Sequence, residues 1–325
     1  MNNKILIYNS GGGLGDSIQL IPVILSIQNT FKNYEIFYIS AHDNHYNGKL
    51  KEYNINVNNL KIDIKYFGFR WWHLFVVKKK FFELQMSKFD LIIDLQSKLR
   101  NTLILKKIPT LKFYSSTFNF LFCTSGNSYL KNSNLCKMTL TNIEKILDKK
   151  INYTPYDIAL LPEIYKKEAK RLLPNKNYVG FSVTQGNVYR KKSWSLKNFI
   201  DVANKISKKN KIPVFFIEKN QSHIIEEIKF NVPKALFPEM ESNLSCPALV
   251  TALASKLEEA VSIDNGIMHM IALTNIPMTI LFGPTNSEKF APRGKKINII
   301  DSKVLYKSND INKITVEDVL EKFNF

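Results

Sequence analysis

The sequence predicts an α/β protein with two Rossmann-like, doubly wound parallel-sheet domains. Three observations support this fold class. Apolar strand patterns alternate with amphipathic helical patterns, the alternation restarts near residue 178, and the 325 residues suffice for two domains of ~150 residues each. Hydrophobic residues make up 45% of the chain, which allows sizeable cores and excludes disorder as the main state.

The first half opens with a strand, a glycine loop and a helix. Residues 4–8 form an apolar run, residues 11–16 include four glycines, and apolar residues recur at helical spacing over 18–27. Further apolar strands at 34–39 and 89–95 follow at distances that suit parallel crossover units. This half is therefore predicted to be α/β.

The second half repeats this organisation. Residues 150–177 turn polar and contain prolines around a basic helical stretch, as expected of a connection between domains. Beyond them, strands are predicted at 178–183, 212–217, 259–263 and 278–282, with helices between them.

The predicted organisation has four segments. The last of them is read as an amphipathic helix that Thr315 begins, with acidic residues in its first turn. The segments are an N-terminal domain at 1–160, a linker at 161–177, a C-terminal domain at 178–310 and a C-terminal helix at 311–325.

The charge of the chain bears on its partners. There are 46 Lys and Arg against 28 Asp and Glu, a net charge of +18 with histidine neutral. This suits nucleic acid, an anionic lipid surface or a phosphorylated small molecule, with a solvated basic surface as the simpler alternative. No helix-turn-helix, RRM or zinc pattern is recognisable, so a nucleic-acid partner is not expected.

The apolar runs and the cysteines indicate a cytoplasmic protein. No apolar run approaches the ~18 residues of a membrane-spanning helix, and residues 1–8 lack the pattern of a secretory signal. Cys123, Cys136 and Cys246 lie far apart, so they are expected to be reduced and structural.

The loop after the first strand contains a candidate general base. Gly11-x-Gly13 would suit a dinucleotide, but Asp16 stands at the third glycine position, where its charge would repel a pyrophosphate. We therefore expect the loop to approach a neutral hydroxyl group, with Asp16 as the base. The alternative is that Asp16 only caps the helix.

Three loops of the second half also follow predicted strands. Ligands of parallel sheets bind at the carboxyl ends of strands, so these loops are candidates for binding. The loop at 184–194 offers a hydroxyl, an amide and three consecutive cations for phosphate oxygens. The residues singled out are Thr184, Gln185 and Lys192 in that loop, Asp264, Asn265, Gly266 and His269 in the next, and Thr285 in the last.

Neither a metal nor a cofactor is expected. The chain has no Asp-x-Asp pair and no His, Asp and Glu cluster with ligand spacing. If the protein released a diphosphate in a reaction, Lys192 and its neighbours would have to neutralise the charge of that leaving group. The alternative for residues 184–194, taken alone, is a solvated basic loop. The alternative for His269 is a core histidine whose hydrogen bonds are satisfied within the protein.

Together these loops resemble a known family. The matching pieces occur in one order along the chain: Gly13-Leu14-Gly15-Asp16 with Pro22, Phe89-Asp90-Leu91-Ile92-Ile93-Asp94-Leu95-Gln96 with Arg100, Lys192-x-Trp194, Asp264-Asn265-Gly266-x-x-His269, and Phe282-Gly283-Pro284-Thr285. This set resembles glycosyltransferase family nine, the heptosyltransferases, which have the GT-B fold of two domains facing a cleft.

The resemblance implies a reaction and its partners. It implies transfer of a heptose from ADP-heptose to a lipopolysaccharide core acceptor, with inversion at the anomeric carbon. The acceptor would bind the N-terminal domain and the nucleotide sugar the C-terminal domain. Asp16 would be the base, and Gly13 and Arg100 would lie on the acceptor side.

The donor side follows from the same resemblance. Thr184 and Lys192 would contact the diphosphate. Glu218 would meet the ribose hydroxyls and Met240 the adenine. The remaining donor residues would be Gln185, Asp264, Asn265, Gly266, His269 and Thr285. The chain departs from the family at Asn265, where Ser or Thr is usual, and at Ser195, where proline is common.

A lipid-linked acceptor would give the positive charge a use. Residues 70–80 mix aromatic side chains with Arg70 and three lysines, as an interfacial segment does, which indicates contact with an anionic inner-membrane surface on its cytoplasmic face. The alternative is a helix that buries Trp72 and Phe75 in the core.

Two other functions stay open. One is a glycosyltransferase of the same fold with a different nucleotide sugar and a surface-glycan acceptor. The other, less favoured, is a basic nucleic-acid-binding protein.

Overall fold

The chain forms two compact units, Met1–Pro155 and Tyr156–Phe325. The structure is a computed structural model that describes residues 3–10, 13–42, 44–124, 128–185, 189, 191–218, 220–292, 294 and 296–323. Parts of two predicted loops, Gly11 with Gly12 and Gly186 to Val188 with Arg190, lie outside the described residues. So do the last two residues of the predicted C-terminal helix.

The first unit alternates strands and helices. Its elements are β1 (Asn3–Asn9), α1 (Leu14–Thr30), β2 (Tyr34–Ser40), β3 (Asn58–Asn59), α2 (His73–Glu83), β4 (Phe89–Asp94), α3 (Leu99–Leu105), β5 (Thr110–Ser115) and α4 (Leu135–Leu147).

The five strands of this unit form a sheet in the order β3-β2-β1-β4-β5. All four strand pairs are parallel. The central strand is apolar on both faces because helices cover both sides: Ile5, Leu6 and Ile7 are fully buried.

The second unit has the same kind of alternation. Its elements are α5 (Glu163–Leu172), β6 (Tyr178–Ser182), α6 (Leu196–Ser207), β7 (Ile212–Phe216), α7 (Ser222–Asn231), α8 (Pro247–Ala254), β8 (Glu259–Ile263), α9 (Gly266–Ala272), β9 (Met278–Phe282), α10 (Ser287–Phe290), β10 (Ile297–Asp301), α11 (Ser302–Tyr306) and α12 (Val316–Leu320).

Its sheet has the order β10-β9-β8-β6-β7, again with every pair parallel. Within each sheet the chain reverses its direction of winding once, between β1 and β4 in the first and between β6 and β8 in the second. The predicted fold class, two doubly wound parallel sheets, is confirmed.

The segments outside the two sheets pack within the second unit. Residues 161–177, predicted as a linker, contain α5, which packs against α8 and buries Ala169. The C-terminal helix is shorter than the predicted 311–325, because Ile311–Lys313 forms a separate 3-10 turn and α12 ends at Leu320. Thr315 does begin α12, in a capping box with Asp318. Val319 is buried in the core of this unit.

Helix α2 does not bury the residues that one alternative from the sequence placed in the core. Its buried residues are His73, Val77 and Phe81, which pack toward the first sheet at four-residue spacing. Trp72 and Phe75 lie on the outside instead, with 54% and 81% of their surfaces exposed. The alternative that buries them in the core is therefore wrong, because the helix turns its other face inward.

Candidate functional site

Most of the predicted site residues follow the two strands that flank the reversal point of each sheet. In open parallel sheets, ligands bind outside the carboxyl ends of the strands at this topological switch point. Asp16 and Arg100 follow β1 and β4 in the first unit. Lys192 and Asp264 follow β6 and β8 in the second. Each sheet thus presents candidate residues from both strands at its switch point.

Asp16 lies in the first turn of α1. The N-cap residue is Gly13, so Asp16 is the third residue of the helix and not its N-cap. The carboxylate leans over Gly13: a Cβ added there would lie 3.1 Å from Asp16 Oδ2. Asp16 is exposed. The helix dipole favours a carboxylate at this end of a helix, and this side chain lies at the surface of the unit.

Tyr38 of β2 lies near this carboxylate. Burial raises the pKa of the Tyr38 phenol, and the negative charge of Asp16 raises it further. The nearby polar side chains of Ser17 and Asn9 lower this pKa but do not cancel the shift. Tyr38 therefore remains a neutral hydroxyl at any physiological pH. Among the described residues 10 and 13–16 of this loop, Asp16 is the one with an ionisable side chain.

A buried polar network joins the strand ends of the first sheet. Asp94 Oδ2 accepts hydrogen bonds from Thr102 Oγ1 at 2.6 Å and Ser115 Oγ at 2.8 Å, while its Oδ1 accepts from the Gln96 amide at 3.0 Å. Gln96 Nε2 in turn donates to Asn9 Oδ1 at 2.6 Å. Burial raises the pKa of Asp94, and these hydrogen bonds oppose the shift. The network fixes the loop between β4 and α3.

Arg100 holds a neighbouring turn. Its Nε donates to the carbonyl oxygen of Gly68 at 2.8 Å, and its guanidinium carbon lies 5.9 Å from the centre of the Phe69 ring. Gly68 has a φ of +90°, and a Cβ there would lie 1.9 Å from the Tyr8 hydroxyl, so this position requires glycine. Arg100 is therefore a fixed, half-buried cation beside the switch point.

Lys192 and Asp264 form a buried ion pair at the switch point of the second sheet. Lys192 Nζ lies 2.7 Å from Asp264 Oδ2 and donates to the Asp264 carbonyl oxygen at 3.2 Å. The two side chains are only 14% and 8% exposed, so solvent screens this pair weakly. The ammonium group has a third proton to offer a ligand oxygen.

The loop that carries Lys192 is anchored on both sides. The Lys192 amide donates to Gln185 Oε1 at 2.6 Å. Two residues on, the buried Trp194 packs edge-on against Phe199 and donates from its indole nitrogen to the Ile314 carbonyl oxygen at 2.9 Å. The Lys-x-Trp spacing therefore has a physical reason: the tryptophan fixes the backbone that positions the lysine.

Both the oxygen and the nitrogen of the Asn265 side-chain amide form hydrogen bonds within the protein. Its Oδ1 accepts from the Met268 amide at 2.9 Å as the N-cap of α9, as its sequence position predicts. Its Nδ2 donates to Ser182 Oγ at 2.7 Å and to the Thr184 carbonyl oxygen at 2.8 Å. Asn265 therefore ties the loop after β8 to the loop after β6.

His269 and Gly266 of α9 complete this cluster. His269 is buried, which lowers its pKa to about 4, while Asp264 opposes the shift and Lys192 adds to it. The imidazole is thus neutral near pH 7 and can serve as a hydrogen-bonding group but not as a cation. A Cβ added at Gly266 would meet nothing within 4 Å, so there is room beside this backbone.

The remaining predicted donor residues lie apart from this cluster or at its margin. Thr285 follows β9, the neighbour of β8, and its buried Oγ1 has no hydrogen-bond partner among the described residues. Glu218 is exposed after the edge strand β7. Met240 packs against the hydrophobic core of the second unit. No described contact joins Glu218 or Met240 to Lys192 and Asp264.

Sequence reasoning did not select Asp94 or Gln96 as site residues, although both stand in one of the quoted motifs. The sequence signal was a carboxylate directly after the apolar residues Leu91 to Ile93 of a strand. Within the described parts of the chain, no group of three or more His, Cys, Asp and Glu side chains could hold a metal ion. Nor does any described helix combine the length and apolarity needed to span a membrane.

Comparison with solved structures supports the GT-B fold. A crystal structure of a family 9 glycosyl transferase from Veillonella parvula matches with a TM-score of 0.70 and 18% identity, over 99% of this chain and 96% of that one. The E. coli heptosyltransferase WaaC with ADP matches with a TM-score of 0.68 and 14% identity, over 98% of each chain. E. coli ADP-heptose lps heptosyltransferase II matches with a TM-score of 0.64 and 14% identity, over 98% of this chain and 97% of that one.

A search of curated proteins gave no significant match. The two parallel-sheet α/β units have the GT-B fold of these structures. The model of glycosyltransferase family 9 (heptosyltransferase) matches residues 78–320. The chain belongs to this family.

Proposed function

We propose that the protein transfers a heptose from ADP-heptose to a hydroxyl group of a lipopolysaccharide core or related lipid-linked glycan, with inversion and without a metal. The observation that carries this proposal is the family match over residues 78–320, because it spans the loops with Lys192 and Asp264. ADP is the nucleotide named with the structurally similar E. coli enzyme. The acceptor would bind the domain at 1–160 and the donor the domain at 178–310.

On the acceptor side, Asp16 is the proposed base. Its carboxylate is exposed at the start of α1, where an acceptor hydroxyl could reach it. Gly13 leaves the space into which the carboxylate leans. Arg100 is the proposed acceptor-binding cation, since its charge lies beside the same switch point and its Nε is already fixed by Gly68.

On the donor side, Lys192 is the proposed partner of the diphosphate. Asp264 fixes its ammonium group and the Gln185 side chain fixes its backbone, so little reorganisation is needed when the anion binds. Thr184, Asn265, Gly266 and Thr285 belong to the same or adjoining loops, and His269 adds a neutral hydrogen-bonding group. Glu218 and Met240 are proposed for the ribose and the adenine from family position alone.

The reaction follows from these roles. Asp16 removes the proton from the acceptor hydroxyl as its oxygen attacks the anomeric carbon of the heptose. The bond from that carbon to the diphosphate oxygen breaks, and ADP leaves with the electron pair, its charge stabilised by Lys192. Attack opposite to the leaving group inverts the anomeric configuration. The enzyme would work in the cytoplasm, on acceptors held at the cytoplasmic face of the inner membrane.

The test is calorimetric titration of the wild type with ADP, ADP-heptose, UDP-glucose and GDP-mannose in EDTA. We expect binding of ADP and ADP-heptose and weak or no binding of the other two. NMR of the glycoside product should then show the inverted anomer. Preference for a uridine or guanosine donor would overturn the proposed substrate, and absence of all nucleotide binding would overturn the proposed reaction.

One observation favours a second candidate, a glycosyltransferase of this fold with another nucleotide sugar and a surface-glycan acceptor. Asn265 occupies a position where the family usually has Ser or Thr, and its larger side chain links the two donor loops. The same titration distinguishes this candidate from ADP-heptose transfer.

A further inference from the structure

The first unit exposes a dense group of aromatic side chains around α2. Soluble proteins rarely expose a contiguous apolar surface of this kind unless it binds something. We call it the aromatic–lysine surface and define it as Tyr66, Phe69, Trp71, Trp72, Phe75, Phe82, Lys78 and Lys79, all of which are exposed.

The outward face of α2 is the part that departs furthest from an ordinary surface helix. The inward face holds Val77 and Phe81 at four-residue spacing. The opposite face, where polar side chains are usual, carries Phe75 and Phe82 with Lys78 and Lys79 between them. Aromatic rings in the middle of a helix face with lysines interspersed are typical of helices that lie in a membrane interface.

The turn before α2 is rigid, so the exposure of these rings is built into the fold. The Gly68 amide donates to His73 Nδ1 at 3.0 Å, and the Tyr8 hydroxyl donates to the Phe67 carbonyl oxygen at 3.0 Å. Arg100 holds the Gly68 carbonyl oxygen from the other side. Such a turn keeps its aromatic neighbours outside, so less backbone entropy is lost when they bind a partner.

The aromatic–lysine surface borders the carboxyl edge of the first sheet. Tyr8 is the next-to-last residue of β1, and His42, two residues after β2, lies 5.4 Å from the Tyr66 ring. Asp16 lies in the first turn of α1 at that same edge. A ligand that covers this surface would therefore lie next to the proposed acceptor site.

Charge selects the occupant. Lys78 and Lys79 stand among the rings, and the chain carries +18 in total, so an anionic partner is favoured and a second copy of the chain is disfavoured. We propose that the aromatic–lysine surface docks the protein on a bilayer that contains anionic lipid. The rings enter the boundary between headgroups and acyl chains, and the lysines contact headgroup phosphates.

The biological purpose of this docking rests on the proposed function, the glycosylation of a lipid-linked acceptor. A lipid-linked acceptor stays in the membrane, so the enzyme must reach it there. Docking through α2 brings the edge with Asp16 toward the headgroup region, where the sugar of such an acceptor emerges.

Vesicle binding tests the proposal directly. Wild-type protein is sedimented with phosphatidylcholine vesicles that contain or lack phosphatidylglycerol. The test variants are Phe75→Ser with Phe82→Ser and, separately, Lys78→Ser with Lys79→Ser. The matched controls are Phe230→Ser, an exposed ring on α7, and Lys167→Ser with Lys170→Ser, exposed lysines on α5.

We expect wild type and controls to bind the anionic vesicles and the variants to bind far less. Loss of two lysines should weaken partitioning about thirty-fold, and loss of two rings by at least about tenfold. Tryptophan emission adds a local readout. The chain has three tryptophans, and Trp194 is buried, so a blue shift on vesicles reports on Trp71 and Trp72.

Three results would overturn the proposal: no partitioning of the wild type, equal partitioning of test and control variants, or a wild-type dimer that dissociates in the variant Phe75→Ser with Phe82→Ser. ADP titration of the same variants separates this proposal from the proposed function. Loss of vesicle binding with normal ADP binding supports docking through this surface. A wild type that binds vesicles but no nucleotide contradicts glycosyl transfer and leaves the docking intact.

Discussion

The two switch points of the molecule are built differently. In the second unit, the candidate residues bind each other: Lys192 pairs with Asp264, and Asn265 joins two loops, with little exposed surface. In the first unit, Asp16 stands exposed at a helix start, above loops held by Asp94. A bound nucleotide sugar needs preorganised charge, whereas an exchanging acceptor needs an open base. Changes at the first edge should therefore affect chemistry alone, and changes at the second should affect donor binding and stability together.

The largest expected effect tests the open edge. Asp16→Asn keeps the shape of the side chain but cannot accept a proton, so kcat should fall about a thousand-fold. The affinity for ADP, measured by calorimetry, should stay unchanged. Asp63→Asn is the control, since it removes one exposed carboxylate elsewhere in the first unit. Equal loss of ADP affinity and kcat in Asp16→Asn would contradict the separation of the two edges.

The next effect tests the preorganised edge. Lys192→Met should weaken ADP-heptose binding about a hundred-fold. It should also lower the free energy of unfolding by about 3 kcal/mol, because Asp264 is left buried without its partner.

A second variant separates these two consequences. In Lys192→Met with Asp264→Asn, most of the stability should return in denaturant unfolding while donor affinity stays low. If donor affinity returned as well, Lys192 would not be the group that binds the diphosphate.

A smaller effect sharpens the comparison within the donor loops. Asn265→Ser retains an N-cap for α9 but loses the two bonds to Ser182 and Thr184. The donor KM should rise about tenfold, with kcat less affected, because the two loops lose their link. Asn286→Ser is the matched control, since Asn286 caps α10 through the Lys289 amide and no described hydrogen bond of its side chain links two loops in this way. Equal KM values for both variants would leave Asn265 with a capping role only.

The smallest effect concerns pH. Burial lowers the pKa of His269 to about 4, so the unfolded chain takes up this proton first as pH falls below about 6.5. The stability contribution of neutral His269 is full above that pH and is lost progressively down to about pH 4. From pH 7.5 to 5.5 the wild type should lose about 1 kcal/mol more than His269→Gln.

Denaturant unfolding at the two pH values measures this difference. His223→Gln, an exposed histidine on α7, separates loss of a buried histidine from loss of any histidine. The same acid sensitivity in His269→Gln and wild type would contradict a buried, neutral His269. The second edge would then be less closed than its geometry indicates.

Much of the fold and part of the site could be predicted locally. Apolar runs predict strands such as 4–8 and 259–263. The capping side chains of Asn265 and Thr315 predict the starts of two helices. The outer position of Phe75 could not be predicted, because the aromatic residues of α2 allow either face to turn inward. The C-terminal helix is shorter than the predicted 311–325, because Ile311–Lys313 forms a separate turn and α12 ends at Leu320.

The sequence by itself determined the alternation of strands and helices, the polar residues after each strand and the excess of positive charge, because these depend on neighbours along the chain. Only the tertiary structure decided which loops meet. Lys192 and Asp264 are 72 positions apart and are paired because β6 and β8 are adjacent strands of one sheet. The buried network of Asp94 likewise exists only because β1, β4 and β5 end side by side. Strand order is set by long-range packing, which no local pattern encodes.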